Sequence, residues 1–176
     1  MYDLNIIHYY HSNCNPLNSI TELPEKEAFE MAEIIGKNKG TSFNRFNDFI
    51  NYYPLRIKTE EYLYNWFIKS GGIPKTKNPL YFVLEGCNYL YNWFEKGNII
   101  KISLSEIDIE HISFTIGDSC SEFNKGNLQE PFLKNRLYDM LNGFNGDIKL
   151  ILDNIYQKYG IKYIECQLWD NKYIKY

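Results

Sequence analysis

The residue types that could do chemistry in this chain begin with a glutamate near the C-terminus. The segment 161–169 alternates apolar and polar side chains, and Glu165 falls on the polar face. A carboxylate on a strand among polar and aromatic neighbours can face a cleft and serve as an acid, a base or an electrostatic stabiliser. The same pattern also fits a solvated face on which Glu165 pairs with Lys162 or Lys172.

Two of the three histidines, His8 and His11, flank a pair of tyrosines at the end of the first predicted strand. A zinc site needs three or four protein ligands, and no third ligand stands nearby. A spacing of three residues also directs the two imidazoles to opposite faces. We therefore expect no metal: one histidine hydrogen-bonds a ligand, with Tyr9 beside it, and the other is structural.

Arg56 lies in a dense polar and aromatic segment that begins at Tyr53. Its planar guanidinium could bind a phosphate, or it could pair with Glu60 one helical turn further on. The Gly-Asp-Ser sequence at 117–119 lacks the spacing of a phosphate-binding loop and is interpreted as a turn with a capping Asp or Ser. The nucleophile elbow and the Rossmann glycine pattern are both missing from the sequence.

The composition is that of a globular chain with many aromatic residues. Its 176 residues favour one domain, with 44% hydrophobic residues and an aromatic share of 17%. A net charge of -3 argues against a dedicated nucleic-acid surface, although a local basic groove for DNA or RNA could form from Arg45, Arg56, Lys58 and Lys69. The sequence has no membrane-length apolar stretch, no basic secretory leader and no C-x-x-C pair. We therefore expect a cytoplasmic protein with reduced cysteines and no membrane partner.

Hydrophobic periodicity predicts strands and helices in irregular order. Strands are expected over 4–10, 80–84, 99–104, 111–116 and 161–169, and helices over 24–35, 59–70, 88–96, 131–141 and 148–159. The aromatic segment 43–53 has no clear period and is interpreted as a loop. Because strict βαβ alternation is missing, we predict a single α+β domain over 1–176, with a mixed or antiparallel β core and about five helices around it.

One hexapeptide occurs twice, at 62–67 and at 89–94. Both copies are predicted to be amphipathic helices whose Leu, Trp and Phe pack on the same sheet; a pair of ligand-stacking helices is the other interpretation.

Several of these segments, taken in order, are similar to the layout of small ADP-ribosyltransferases, in particular the DarT-like branch that modifies DNA. They are the histidines of the first strand, the turn into 17–20, the strand at 80–82, the segment 114–118 and the late glutamate Glu165. The resemblance implies that NAD is a consumed substrate. It assigns contact with the nicotinamide-side ribose to His8 or His11, nicotinamide stacking to Tyr81 and orientation of the ribose to Glu165. Tyr9, Tyr53 and Arg56 are the further candidates for binding NAD.

The resemblance implies transfer of ADP-ribose to a nucleic-acid or protein acceptor, with Glu165 stabilising the positive charge that builds on the ribose. Tyr163 stands where many protein-modifying members carry Glu or Gln, which makes a protein side-chain target doubtful. The alternative is a non-catalytic protein of mobile-element origin, from phage–host conflict, that binds a nucleotide or blocks a partner. A hydrolase using Glu165 and one histidine is a third interpretation. Glu165 and a first-strand histidine in one pocket would favour the transferase, and their placement on opposite surfaces would favour the binding protein.

Overall fold

A computed structural model describes residues 2–174 and contains one six-stranded sheet in the order β3-β1-β2-β6-β4-β5. All neighbouring strands are antiparallel. The strands are β1 Asn5–Tyr10, β2 Leu80–Leu84, β3 Asn98–Ser103, β4 Ile112–Ile116, β5 Phe132–Leu133 and β6 Ile164–Leu168. The helices are α1 Glu25–Gly36, α2 Phe49–Lys69, α3 Asn88–Trp93, α4 Ser119–Asn124, α5 Lys134–Gly143 and α6 Ile148–Tyr159. The α+β class and the antiparallel core are therefore confirmed.

Strand β6 lies inside the sheet and separates its two faces in the way that the alternating sequence predicts. Ile164, Cys166 and Leu168 enter the main hydrophobic core, which residues of α5 and α6 complete. Glu165 lies opposite Val83 of β2 and Thr115 of β4, and these three residues project from the other face. The sheet register thus fixes which side chains can meet Glu165.

Helix α2 lies on the Glu165 side of the sheet and begins at Phe49, ten residues before the predicted start at Thr59. The loop predicted over 43–53 is therefore wrong in its second half. Phe49 and Tyr53 are buried four residues apart and pack with Ala28 and Ala32 of α1 in a small aromatic cluster. This burial keeps the helix intact through Pro54, which cannot donate a backbone hydrogen bond.

Helices α1 and α6 match their predicted ranges to within one residue, whereas the short helix α4 was not predicted. Asp147 accepts hydrogen bonds from the backbone N–H groups of Lys149 and Leu150 and so caps α6, which ends at Gly160 with a left-handed φ of 69°. Helix α5 begins at Lys134, later than predicted, because Phe132–Leu133 pairs with β4. None of the helices between residues 2 and 174 is long and apolar enough to cross a membrane.

Candidate functional site

A group of charged and polar side chains lies between α2 and the sheet; Arg56, Glu60, Tyr81 and Glu165 are here called the charged layer. Arg56 and Glu60 project from the same side of α2 because they are one helical turn apart. The Arg56 Nε donates to Glu60 Oε1 at 2.7 Å, and the guanidinium carbon lies 3.7 Å from the centroid of the Tyr81 ring. The Tyr81 hydroxyl donates to the same Glu60 oxygen at 3.2 Å. The pairing with Glu60, one of the two roles predicted for Arg56, is therefore present.

Glu60 is the hub of the charged layer, with a side chain that is only 2% exposed. Its second oxygen accepts hydrogen bonds from Thr21 Oγ1 at 2.7 Å and from Asn78 Nδ2 at 2.6 Å. A buried carboxylate is costly unless its lone pairs are satisfied, and here both oxygens have donors. The Arg56–Glu60 pair is consequently a fixed element against which other groups are positioned.

Glu165 lies on the floor of this layer and is 7% exposed. Its Oε1 accepts hydrogen bonds from the Ser119 backbone N–H at 3.2 Å and from Gln167 Nε2 at 3.0 Å, and the Thr115 hydroxyl lies 3.4 Å away. The amide of Gln167 is held in turn by the Ser113 hydroxyl, which donates to its Oε1 at 3.0 Å. The solvated interpretation of this face is therefore wrong.

The two lysines proposed as partners of Glu165 are engaged elsewhere. Lys172 donates to Asp108 at 2.9 Å, and the Lys162 ammonium lies 5.0 Å from the centroid of the Tyr89 ring. The positive charge that faces Glu165 comes from Arg56.

Burial and, after it, the nearby negative charge of Asp118 raise the pKa of Glu165 to about 7, although Arg56 acts in the opposite direction. Arg56 itself stays charged, because the surrounding tyrosine and glutamate side chains raise its pKa well above the usual value despite its burial. Near neutral pH the carboxyl of Glu165 is thus divided between its two protonation states. A buried carboxyl tuned to this range is a typical feature of functional sites.

His8 lies on the opposite face of the sheet from Glu165. It follows Ile6 by two residues, and its ring centroid is 5.5 Å from that of Phe82, which belongs to the main core. Its Nδ1 lies 2.8 Å from the Tyr81 carbonyl oxygen, and its Nε2 is 3.5 Å from the Leu17 N–H. These partners assign the proton to Nδ1, which donates to the carbonyl. Burial lowers the pKa of His8, so the ring is neutral and structural.

Three further sequence candidates contact neighbours outside the charged layer. His11 packs edge-on against Phe43, with the ring centroids 4.8 Å apart, and accepts the Asn13 N–H. The Tyr9 hydroxyl accepts the Cys87 N–H at 2.8 Å. The Tyr53 ring belongs to the aromatic cluster between α1 and α2.

The fold therefore brings together the side chains of Arg56, Tyr81 and Glu165 on one face of the sheet, and His8, which contacts Tyr81 only through the Tyr81 backbone carbonyl, lies on the other face. Three members of the site, Thr21, Asn78 and Gln167, were not predicted from the sequence. Of these, Gln167 carried a usable signal, because it shares the polar face of β6 with Glu165. Thr21 lies in a short 3-10 helix, Ile20–Glu22, and Asn78 lies in the loop before β2. They are far apart in sequence, and only the tertiary fold joins them at Glu60.

Among residues 2–174, no three His, Cys, Asp or Glu side chains are grouped so that they could hold a metal ion. Comparison with known proteins adds no relative: no family model matches the sequence, and no similar curated protein or solved structure was found.

Proposed function

We propose that this chain is a nucleotide-binding protein whose charged layer receives the ring end of NAD, and that it does not use the histidine-assisted turnover implied by the resemblance. The supporting observation is the convergence of Arg56, Tyr81 and Glu165 on one face of the sheet, with His8 on the other. The sheet therefore lies between the side chains of His8 and Glu165, which the resemblance expects to contact the same ribose.

The charges of the layer indicate which part of a nucleotide would lie there. Arg56 is already paired with Glu60, and the carboxyl groups of Glu165 and Asp118 lie near enough to influence one another. With one cation against three acidic groups, the local field disfavours a phosphate and favours a neutral or cationic ring. The nicotinamide ring of oxidised NAD is a cation, which fits this field.

The individual residues fit such a ligand unequally. The guanidinium of Arg56 covers one face of the Tyr81 ring, and the Tyr81 hydroxyl donates to Glu60, so the stacking role expected of Tyr81 is already taken on that face by Arg56. Glu165 can still take a ligand as a partner, because its described hydrogen bonds all reach Oε1. In the proposed complex Glu165 is the carboxylate that faces the positive charge of the ring.

Calorimetry with NAD at pH 6 and pH 8 tests this proposal. A cationic ring binds the ionised form of Glu165, so a pKa of about 7 predicts affinity about tenfold higher at pH 8 than at pH 6. ADP-ribose, which lacks the cationic ring, should bind weakly and without this pH dependence. Glu165→Gln should remove the pH dependence, and Arg136→Ala, at an exposed arginine, should keep it. Absence of NAD binding at both pH values would refute the proposal.

Transfer of ADP-ribose is the second candidate, favoured by the burial of Glu165 and by its pKa near 7. In this reaction the bond between the nicotinamide nitrogen and ribose C1′ breaks, and its electron pair leaves with nicotinamide. C1′ then bonds to a nucleophile of DNA, RNA, protein or water, which loses its proton to solvent. Ionised Glu165 would stabilise the charge on the ribose, with no part for His8.

Nicotinamide release separates the two candidates. The protein is incubated with labelled NAD alone and with DNA, RNA or cell extract. Binding without release supports the non-catalytic proposal. Release that is lost in Glu165→Gln and retained in His8→Gln supports transfer or NAD hydrolysis through Glu165 alone.

A further inference from the structure

Strand β3 is one edge of the six-stranded sheet and pairs with β1 along its whole length, from Asn98 to Ser103. On its outer side every second residue directs its N–H and C=O groups away from β1, and no strand within residues 2–174 pairs with them. The opposite edge, β5, is only two residues long. Edge strands are usually kept short or covered, so an open six-residue edge is an available template for another strand.

A surface groove of about 520 Å³ adjoins this open edge. Its lining includes Tyr9 of β1, Asn88 and Tyr91 of α3, and Asn98 and Ile99 of β3. Ile99 lies directly opposite Tyr9 in the register, so both side chains project to the same side, under α3. Ile99 is 51% exposed and Tyr91 is 37% exposed, so an aliphatic and an aromatic side chain are accessible in a groove whose lining is otherwise largely polar.

Lys101 lies two residues after Ile99, on the same side of β3, and is also exposed. No ion pair reaches its ammonium from any of the described residues, 2–174. The edge therefore offers three features side by side: backbone groups that no strand pairs with, the exposed side chain of Ile99 beside a groove, and the unpaired cation of Lys101.

We propose that the β3 edge binds an extended peptide from another protein by antiparallel strand addition. The peptide would place an aromatic or large aliphatic side chain against Ile99 and, two residues earlier, an acidic side chain opposite Lys101. Backbone hydrogen bonds supply affinity in this mode of recognition, and alternate side chains supply specificity. The required pattern is acidic-x-aromatic.

A second copy of this chain fits the edge less well than such a peptide. In an antiparallel pairing of two β3 strands, residues on the same side of the sheet lie opposite each other. A register centred on Ile100 places Lys101 opposite Ile99 of the second copy. A register centred on Lys101 places it opposite the same lysine of the second copy. Both arrangements leave the cation without an acidic partner, and the second is repulsive.

Fluorescence anisotropy with the labelled synthetic peptide Ser-Thr-Glu-Val-Phe-Thr-Ser tests the proposal. Saturable binding is expected, and methylation of alternate backbone nitrogens in the peptide should abolish it, because those N–H groups form the ladder. A peptide with Lys in place of Glu should bind at least about fivefold more weakly, in the range of one exposed ion pair. Equal binding of the methylated and unmethylated peptides would overturn strand addition.

Protein variants locate the site. Ile99→Asp should abolish binding, whereas Ile73→Asp, at an isoleucine that is 46% exposed elsewhere, should not. Lys101→Glu should reverse the preference, so that the Lys peptide binds more tightly than the Glu peptide. Concentration-dependent dimerisation in sedimentation experiments, lost in Ile99→Asp, would instead assign the edge to a second copy of the chain and overturn the proposal.

Discussion

Glu165→Gln should stabilise the protein at alkaline pH, because the native fold resists ionisation of this side chain. The pKa of Glu165 rises from its usual 4.5 to about 7, so the native protein binds a proton that the unfolded chain releases in this interval. In the wild type the free energy of unfolding should therefore fall as pH rises from 4.5 to 7. Ionisation of Glu165 therefore lowers the free energy of unfolding by on the order of 3 kcal/mol at pH 8 and by under about 1 kcal/mol at pH 5.

Glutamine keeps an acceptor oxygen for Ser119 and Gln167 and cannot ionise. Urea unfolding of both proteins at pH 5 and pH 8 gives the free energy of unfolding of each, and the difference between them removes the contributions of all other titrating groups. That difference should grow in favour of Glu165→Gln by on the order of 2–3 kcal/mol between the two pH values. A difference that does not change with pH would refute the assignment of a raised pKa to Glu165.

Three other substitutions test the same layer and one helix end. Asp118→Asn removes the second cause of the raised pKa while keeping a helix-capping side chain, so the Glu165 carboxyl titration, followed by NMR, should shift to lower pH. Arg56→Ala leaves the buried Glu60 carboxylate without its cation and should lower the free energy of unfolding by about 3–5 kcal/mol. The Arg136 side chain is 62% exposed, so Arg136→Ala should change it by less than about 0.5 kcal/mol. Asp147→Ala removes the cap of α6 and should cost about 1 kcal/mol in chemical denaturation.

The face of Glu165 could be read from the sequence, whereas its partners could not. Alternation along β6 correctly separated Glu165 and Gln167 from the core residues. The same rule applied to β1 places His8 with Ile6 on the core face, but deciding whether that face also holds Glu165 requires the order and register of the intervening strand β2. Strand pairing is a long-range property, and local periodicity carries no information about it.

The start of α2 shows a second limit of local patterns. The aromatic segment 43–53 has no clear hydrophobic period and is therefore predicted to be a loop. Burial of Phe49 and Tyr53 against α1 stabilises the helix there, and this gain comes from a tertiary contact that intrinsic helix propensity does not include.

The repeated hexapeptide makes the same point with identical sequences. In α2 the first copy buries Leu63 and Phe67 against Trp169, as predicted. In the second copy every residue of α3 stays at least partly exposed and the helix ends at Trp93, but Phe94 still stacks on Tyr9 of β1, with the ring centroids 6.5 Å apart. The second copy therefore contacts the sheet without entering a buried core, which the prediction for both copies did not distinguish. The difference arises from position: α2 crosses the sheet, whereas α3 is a six-residue helix close to the β3 edge.

Titration of the Glu165 side-chain carboxyl carbon by NMR, without and with saturating NAD, tests the central claim most directly. We predict a midpoint near pH 7 in the free protein and a midpoint at least about one pH unit lower with NAD, since a bound cationic ring stabilises the carboxylate. A midpoint near 4.5 in the free protein, or the same midpoint with and without NAD, would contradict it.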